Sequence, residues 1–336
     1  VVSEINMTKL ARRKFIHLAT GAATLPIVSR IAKAQAYPSR PITIVVGAAA
    51  GGPTDTIGRI VTERMRNVLG QTIVIENNGA AAGSIAHGRV ARSAPDGYTL
   101  SLGHWGTHVV NGAVYSLTYD TLKDFEPVAL ISVSPYFIAG KSSLPVNDLK
   151  ELVAWIKSNG DKGTQGTSGA GSPAHVGGVL LQSILGTRWV FVPYRGANPT
   201  MQALLAGEFD WTFTTPDQGL AQFRAGRVKP YAIAAKSRMR HAPNVPTTDE
   251  AGLPGFYLSY WHALWTPKGT SKEIVAKLNA SIVAALAEPA VRQRLDELGQ
   301  EVFPSAQQTP ETLGALQKAE IDRWWPIIKS ANIKAE

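Results

Sequence analysis

The 336-residue chain contains no cysteine. That excludes a disulfide scaffold, a thiolate zinc site, an iron–sulfur cluster, a cysteine nucleophile and a lipoprotein anchor. An excess of one charge is also scarce where it would matter. The net charge is +9, but Lys9, Arg12, Arg13, Lys14, Arg30 and Lys33 stand against Glu4 alone in the first 36 residues. The following 300 residues carry 28 basic and 24 acidic side chains, with no run of five like charges. A mildly basic surface of this kind is no phosphate-binding face, so no nucleic-acid partner is expected. Catalytic signatures are missing too. Gly166-Thr167-Ser168-Gly169-Ala170 lacks the last glycine of a nucleophile elbow, and neither S-x-x-K nor H-E-x-x-H occurs. G-x-G-x-x-G fails because Ala174 stands where its third glycine belongs. No cofactor loop is left, and no cofactor or metal is expected. His104 and His108 have a metal-ligand spacing only if one helix carries both, and no acidic residue lies near them in sequence.

What is present begins with a leader. Arg12-Arg13-Lys14 opens a mostly uncharged stretch over residues 15–28, which is too short to cross a bilayer, and Ala34-Gln35-Ala36 follows as a small-x-small site. Paired arginines before a weakly hydrophobic core fit export by the twin-arginine route, with an ordinary Sec signal as the alternative. Met7 reads as the initiator, and cleavage after Ala36 would leave a soluble, periplasmic protein.

The remaining length suits about two domains. Ile42–Val46 is an apolar, β-branched strand. A glycine-rich turn over residues 47–52 leads into a helix with Ile57, Ile60, Val61, Met65, Val68 and Leu69 at helical spacing. Strands over 71–76 and 98–102 flank a helix over 84–93. This alternation predicts a parallel sheet with helices on both faces. A second such unit follows, with strands at 163–167, 189–192, 209–213 and 228–234, and Asn198-Pro199 capping one of its helices. The last third is helical, over 271–287, 289–298 and 310–330. Two apolar extended stretches, 128–139 and 256–266, predict a chain that crosses between domains and returns. A ligand would then lie in the cleft, at the carboxyl ends of both sheets. Trp261, Trp265, Trp324 and Trp325 read as core aromatics.

Two loops carry the chemistry. Residues 47–54 spell G-x-x-x-x-G-P-T, with Pro53 where a phosphate loop needs lysine. Nucleoside triphosphate binding is therefore not expected, but a glycine turn at a helix start still presents unpaired N–H groups to an anion. Gly51 and Gly52 allow close approach, Thr54 adds a hydroxyl, and Asp55 reads as a capping group. In the second loop, Ser172 is a good N-cap, Pro173 falls at N1 and His175 at N3.

The chain resembles the periplasmic receptors of tripartite tricarboxylate transporters, the Bug solute receptors. The resemblance rests on Tyr37-Pro38-Ser39-Arg40-Pro41-Ile42, Ala50-Gly51-Gly52-Pro53-Thr54-Asp55 and Ala94-Pro95-Asp96-Gly97-Tyr98-Thr99-Leu100. Val192-Pro193-Tyr194-Arg195-Gly196, Trp261-His262-Ala263-Leu264-Trp265-Thr266-Pro267 and the helix at 274–278 extend it. It implies an α/β, two-domain Venus-flytrap receptor of the type II periplasmic binding protein class, each domain a mostly parallel sheet flanked by helices. Residues 37–135 with 263–336 would form one domain and 136–262 the other. The resemblance also implies no enzyme activity and a monomer that hands a small organic acid to membrane permease subunits. A receptor feeding a two-component sensor, or a non-metal enzyme on the same frame, are the alternatives.

Carried over from the family, Gly51, Gly52, Pro53, Thr54 and Asp55 would hold one carboxylate through backbone amides and water. Ser168, Gly171, Ser172 and His175 would supply the opposing clamp. Tyr194 and Arg195 would sit near the cleft, and His104 and Thr107 would face the pocket. Two departures bear on the ligand. Gly47-Ala48 replaces the family's Pro-Phe, which frees on the order of 100 Å³ beside Ala48. Thr214 and Thr215 follow Phe213 where the family often has aspartate. The expectation is a plain carboxylic acid rather than an amino acid, larger than a four-carbon diacid: an aromatic acid or a longer dicarboxylate.

Overall fold

The computed structural model describes residues 37–334; the leader expectations fall outside that range. The first sheet begins with β1 (Ile42–Val46), which alternates as its sequence requires. Ile42, Ile44 and Val46 face α1 (Pro53–Leu69), whose Ile57, Ile60, Val61 and Met65 complete one buried layer. Val45 points to the opposite core. Gly70 ends α1 in the left-handed conformation (φ 65°), its N–H bonding the Arg66 carbonyl. Then come β2 (Ile73–Asn77), α2 (Ser84–Ala91) and β3 (Thr99–His104). β2 and β3 both run parallel to β1, as the alternation predicted. A π-helical turn (Gly106–Val110) and the short α3 (Asn111–Val114) follow.

β4 (Phe125–Pro135) then runs almost straight into β5 (Phe137–Lys141), leaving the first sheet and entering the second at Tyr136. α4 (Leu149–Asn159), β6 (Thr164–Thr167), α5 (Pro173–Leu185), β7 (Val190–Pro193) and α6 (Ala197–Ala206) come next. β8 (Trp211–Thr214), α7 (Pro216–Arg224) and β9 (Val228–Ile233) complete that half. The chain returns through β10 (Ser259–Pro267). α8 (Lys272–Ala287), α9 (Pro289–Glu297), β11 (Glu301–Val302) and α10 (Pro310–Ser330) then pack on the first sheet or pair with it.

The first sheet has the order β11-β4-β10-β3-β1-β2, and the second β7-β6-β8-β5-β9. Both share one plan. Three parallel strands are followed by one antiparallel strand that arrives from the other half, β10 in the first sheet and β5 in the second. The two crossings are tied together. Tyr136 N–H donates to Leu258 (3.0 Å), Leu258 N–H to Ala234 (3.0 Å), and Ala234 N–H to Tyr136 (2.8 Å). Trp105, Trp211, Trp261, Trp265 and Trp324 are buried core residues.

Candidate functional site

A cleft of about 710 Å³ opens where the parallel strands of both sheets end. Its walls are helix starts. α1 begins at Gly52, whose backbone is extended (φ −75°, ψ 170°), and no side chain caps its first turn. α6 begins at Gly196 and α7 at Thr215, each likewise without a side-chain cap. Gly51, Gly52, Pro53 and Thr54 line one side; Gly196, Asn198, Thr215 and Asp217 line the other. Open first-turn N–H groups from both halves therefore face one space, and they favour an anion there.

α5 is capped. Ser172 Oγ accepts from His175 N–H (3.3 Å), with Pro173 at N1. Its start borders an adjoining chamber of about 600 Å³ lined by Gly171, Ser172 and Tyr194. His104, Ser168, Pro173, Arg195 and Tyr260 belong to both chambers. Replacing Ser172 by Ala is expected to cost about 1 kcal/mol through the lost cap alone. A much larger loss of ligand affinity at an unchanged melting temperature would show that the hydroxyl touches ligand, and calorimetric titration beside a melt separates the two.

The cleft holds few charges. Arg195 and Asp217 are the charged side chains of its lining, and neither has an ion-pair partner among the described residues. The floor is uncharged: Ser134, Tyr136, Tyr260, His104, His262 and Gln300. Burial, with the neighbouring His262 and His87 adding to it, holds the His104 imidazole well below its usual pKa. Burial brings His262 down to about 3, against a hydrogen bond from Gln300 that works in the opposite direction. Both rings are neutral at physiological pH. Thr107 N–H donates to His104 Nδ1 (3.3 Å), so the neutral ring carries its proton on Nε2. His262 Nε2 lies 3.3 Å from Thr54 Oγ1.

Of the residues expected from sequence, Ala48, Gly51, Gly52, Pro53, Thr54, His104, Ser168 and Arg195 line the main chamber. Gly171, Ser172 and Tyr194 line the second. Thr214 lines a small recess of about 40 Å³ that shares Tyr136, Ser168 and Thr215 with the cleft. Three lie behind the walls. Asp55 is 1% exposed and turns back to accept from Gly51 N–H (2.8 Å) and Arg59 Nε (3.0 Å), so it braces the loop instead of facing the cleft. The Thr107 hydroxyl donates to the His104 carbonyl and accepts from His104 N–H, each at 3.0 Å. His175 Nδ1 accepts from Gly171 N–H (3.2 Å), which folds the ring against its own loop.

The sequence reading missed Tyr136, Tyr260, His262, Gln300 and the starts of α6 and α7. The helix starts had a signal. Thr215-Pro216 repeats the hydroxyl-proline pattern of Ser172-Pro173. α6 begins one residue before Asn198, with Gly196 rather than Asn198 at its cap. The floor residues had none, because an apolar crossing strand gives no hint of which residue reaches a cleft.

Several solved proteins are similar to this chain in sequence and fold. MatC from Rhodopseudomonas palustris, solved with bound malate, is 41% identical, with a TM-score of 0.76 over 87% of this chain and 100% of that one. The periplasmic binding protein BugD is 38% identical, with a TM-score of 0.75 over 89% of this chain and 100% of that one. A second R. palustris protein, solved with adipate, is 31% identical, with a TM-score of 0.78 over 89% of this chain and 100% of that one. Residues 57–333 match the model of the tripartite tricarboxylate transporter family receptor. The chain therefore belongs to that family of solute-binding receptors, the Bug proteins among them, whose members are binding proteins and not enzymes.

Proposed function

We propose that this receptor captures a small dicarboxylate in the cleft and delivers it to the membrane permease of a tripartite transporter. The observation that carries the reading is the convergence of uncapped helix starts from both halves on one space. One carboxylate would rest on the α1 start at Thr54, beside Gly51 and Gly52, whose own N–H groups bond Asp55 and the Ala49 carbonyl. The other would take the facing wall near Arg195 and the α6 start. The relatives solved with malate and with adipate support a diacid of four to six carbons. The open space beside Ala48 favours the longer end of that range.

The receptor would work as a periplasmic monomer after loss of its leader. Its two halves would meet at Tyr136 and near Leu258, since β10 belongs to the first sheet from Ser259 onward. The 136–262 segment would accordingly end a few residues earlier than its sequence reading. Bending at these two crossings would close the halves on ligand, because only the closed form lets one ligand touch both.

A thermal-shift panel of mono-, di- and tricarboxylates and amino acids, on protein unfolded and refolded to strip carried-over ligand, tests the reading. A dicarboxylate at a hundred times its Kd is expected to add about 2.7 kcal/mol, a shift of several degrees. A response confined to amino acids would refute the plain-acid assignment. Silence across the acids would refute the carboxylate class itself.

A further inference from the structure

An asparagine followed by glycine readily loses its side-chain amide, because glycine carries no side chain to shield its own backbone nitrogen. Asn78-Gly79, Asn111-Gly112 and Asn159-Gly160 are such pairs, and the fold treats them differently. Asn111 is buried at the start of α3, its Nδ2 donates to the Ala82 carbonyl (3.0 Å), and the Trp325 ring lies against Gly112. Asn159 ends α4. Its Nδ2 donates to the Trp155 carbonyl (2.8 Å), and the Gly160 N–H is taken by the Ile156 carbonyl. Asn78 is exposed and stands outside any strand or helix. The Gly79 N–H has no hydrogen-bond partner among the described residues. Ala80 N–H donates to Asn78 Oδ1 (3.1 Å), which draws electron density from the side-chain carbonyl carbon and opens it to attack.

We propose that Asn78-Gly79 is a site of spontaneous deamidation, and that its products loosen the receptor's hold on its acid; the second half rests on the dicarboxylate reading. The Gly79 nitrogen attacks Cγ of Asn78. A Cγ–N bond forms, the Cγ–Nδ2 bond breaks, and Nδ2 leaves as ammonia with the proton from the Gly79 nitrogen. Water then opens the cyclic imide at either carbonyl, giving its hydroxyl to carbon and its remaining hydrogen to nitrogen. One product is aspartate. The other is isoaspartate, whose main chain runs through the former side chain and is one methylene longer.

The position gives the change its effect. Asn78 N–H donates to the Val46 carbonyl (2.9 Å), and Asn77 Nδ2 to the Ala48 carbonyl (3.3 Å). Gly79 backs onto the same loop so closely that a Cβ there would stand 3.2 Å from the Ala49 nitrogen. Residues 77–79 thus brace the loop that leads into α1, and Ala48 and Ala49 line the main chamber. An extra methylene at residue 78 displaces that brace. The new carboxylate also adds a negative charge beside the loop that leads to the anion-binding helix start, and like charges repel.

The test is to hold the folded wild-type protein warm at pH 8, map its peptides by mass spectrometry and titrate it by calorimetry with the tightest acid of the panel. Asn78 is expected to gain one mass unit well before Asn111 and Asn159, whereas in urea the three pairs should convert alike. Affinity should fall severalfold as Asn78 converts. Asn78→Gln, whose longer side chain closes no such ring readily, should keep its affinity through the same treatment. An Asn78 that stays intact, or that converts no faster than the other two, would overturn the site. A converted protein with undiminished affinity would overturn the effect on binding. Fresh protein that binds none of the acids would refute the dicarboxylate reading instead, and the peptide map would still decide the modification.

Discussion

Lowering the pH from 7 to 5 is expected to remove several kcal/mol of stability, far more than carboxylate titration can over that range. His87, His108 and His262 are completely buried and neutral, and His104, half-buried at the cleft, is held neutral as well. His87 packs edge-on against His108 with ring centroids 4.8 Å apart, and His108 stacks flat on Trp265 at 3.7 Å. Ser101 bonds His87 Nδ1 (2.7 Å) and lies 3.3 Å from His108 Nε2. No carboxylate stands among their hydrogen-bond partners to favour a charged ring. Burial brings His87 down to about 4 and His262 to about 3, and pushes His104 and His108 well below the usual histidine value.

The direction of the effect follows from proton counting. The unfolded chain takes up protons near pH 6.5, whereas in the folded one His87 waits until about 4, His262 until about 3, and His104 and His108 until well below the usual histidine value. Below 6.5 the unfolded state therefore binds more protons, and stability falls with pH. Each histidine costs about 1.4 kcal/mol per pH unit in that window, or about 2 kcal/mol at pH 5. Four of them together rival the whole stability of an ordinary domain. Carboxylates held low by partners, such as Asp55 and Glu76, lose their contribution only below about pH 4, so the two effects separate. Urea melts at pH 7, 6 and 5 check this. A stability that is level across the three would contradict the neutral burial of these rings.

Replacing Gly47 by Ala is expected to cost about 2–3 kcal/mol, the usual range for forcing an extra group into a packed interior. A Cβ at Gly47 would collide with Nε2 of His87, and on its other side stands the Gly83 backbone. His87 cannot easily retreat, since Ser101 fixes its other nitrogen. The cost should appear in function as well, because Gly47 opens the loop whose Gly51, Gly52 and Thr54 line the cleft. Adding His87→Ala to Gly47→Ala should recover part of the loss, giving coupling well above the roughly 0.5 kcal/mol seen for independent sites. His87→Ala alone should also flatten the pH dependence by one proton. Denaturant melts of the two single variants and the double variant decide it; strictly additive costs would show that the two positions do not touch.

Much of the architecture was legible because local chemistry and tertiary role coincide there. β1 is β-branched throughout, and α1 starts at Pro53 and stops at Gly70, so pattern and punctuation agree. The α5 start was readable from Ser172-Pro173, and the cap is present as expected. Other side chains serve the loops themselves, as Asp55 was read to do. Asp55, Thr107 and His175 carry groups that suit a ligand, yet each spends its hydrogen bonds on the loop that presents its neighbours. His262 escaped for the opposite reason. It lies in an apolar strand that reads as core, and only pairing with β3, which sets it opposite His104, carries it to the cleft. No local pattern encodes that register between strands so far apart in sequence.

Whether a dicarboxylate bridges the helix starts of the two halves is tested most directly by a crystal structure with the tightest acid of the panel. One carboxylate is expected within hydrogen-bond distance of the backbone N–H groups at the α1 start, near Gly52 and Thr54. The other is expected against Arg195 or the α6 and α7 starts. An acid held by one half alone, or bound outside the cleft, would contradict the bridge.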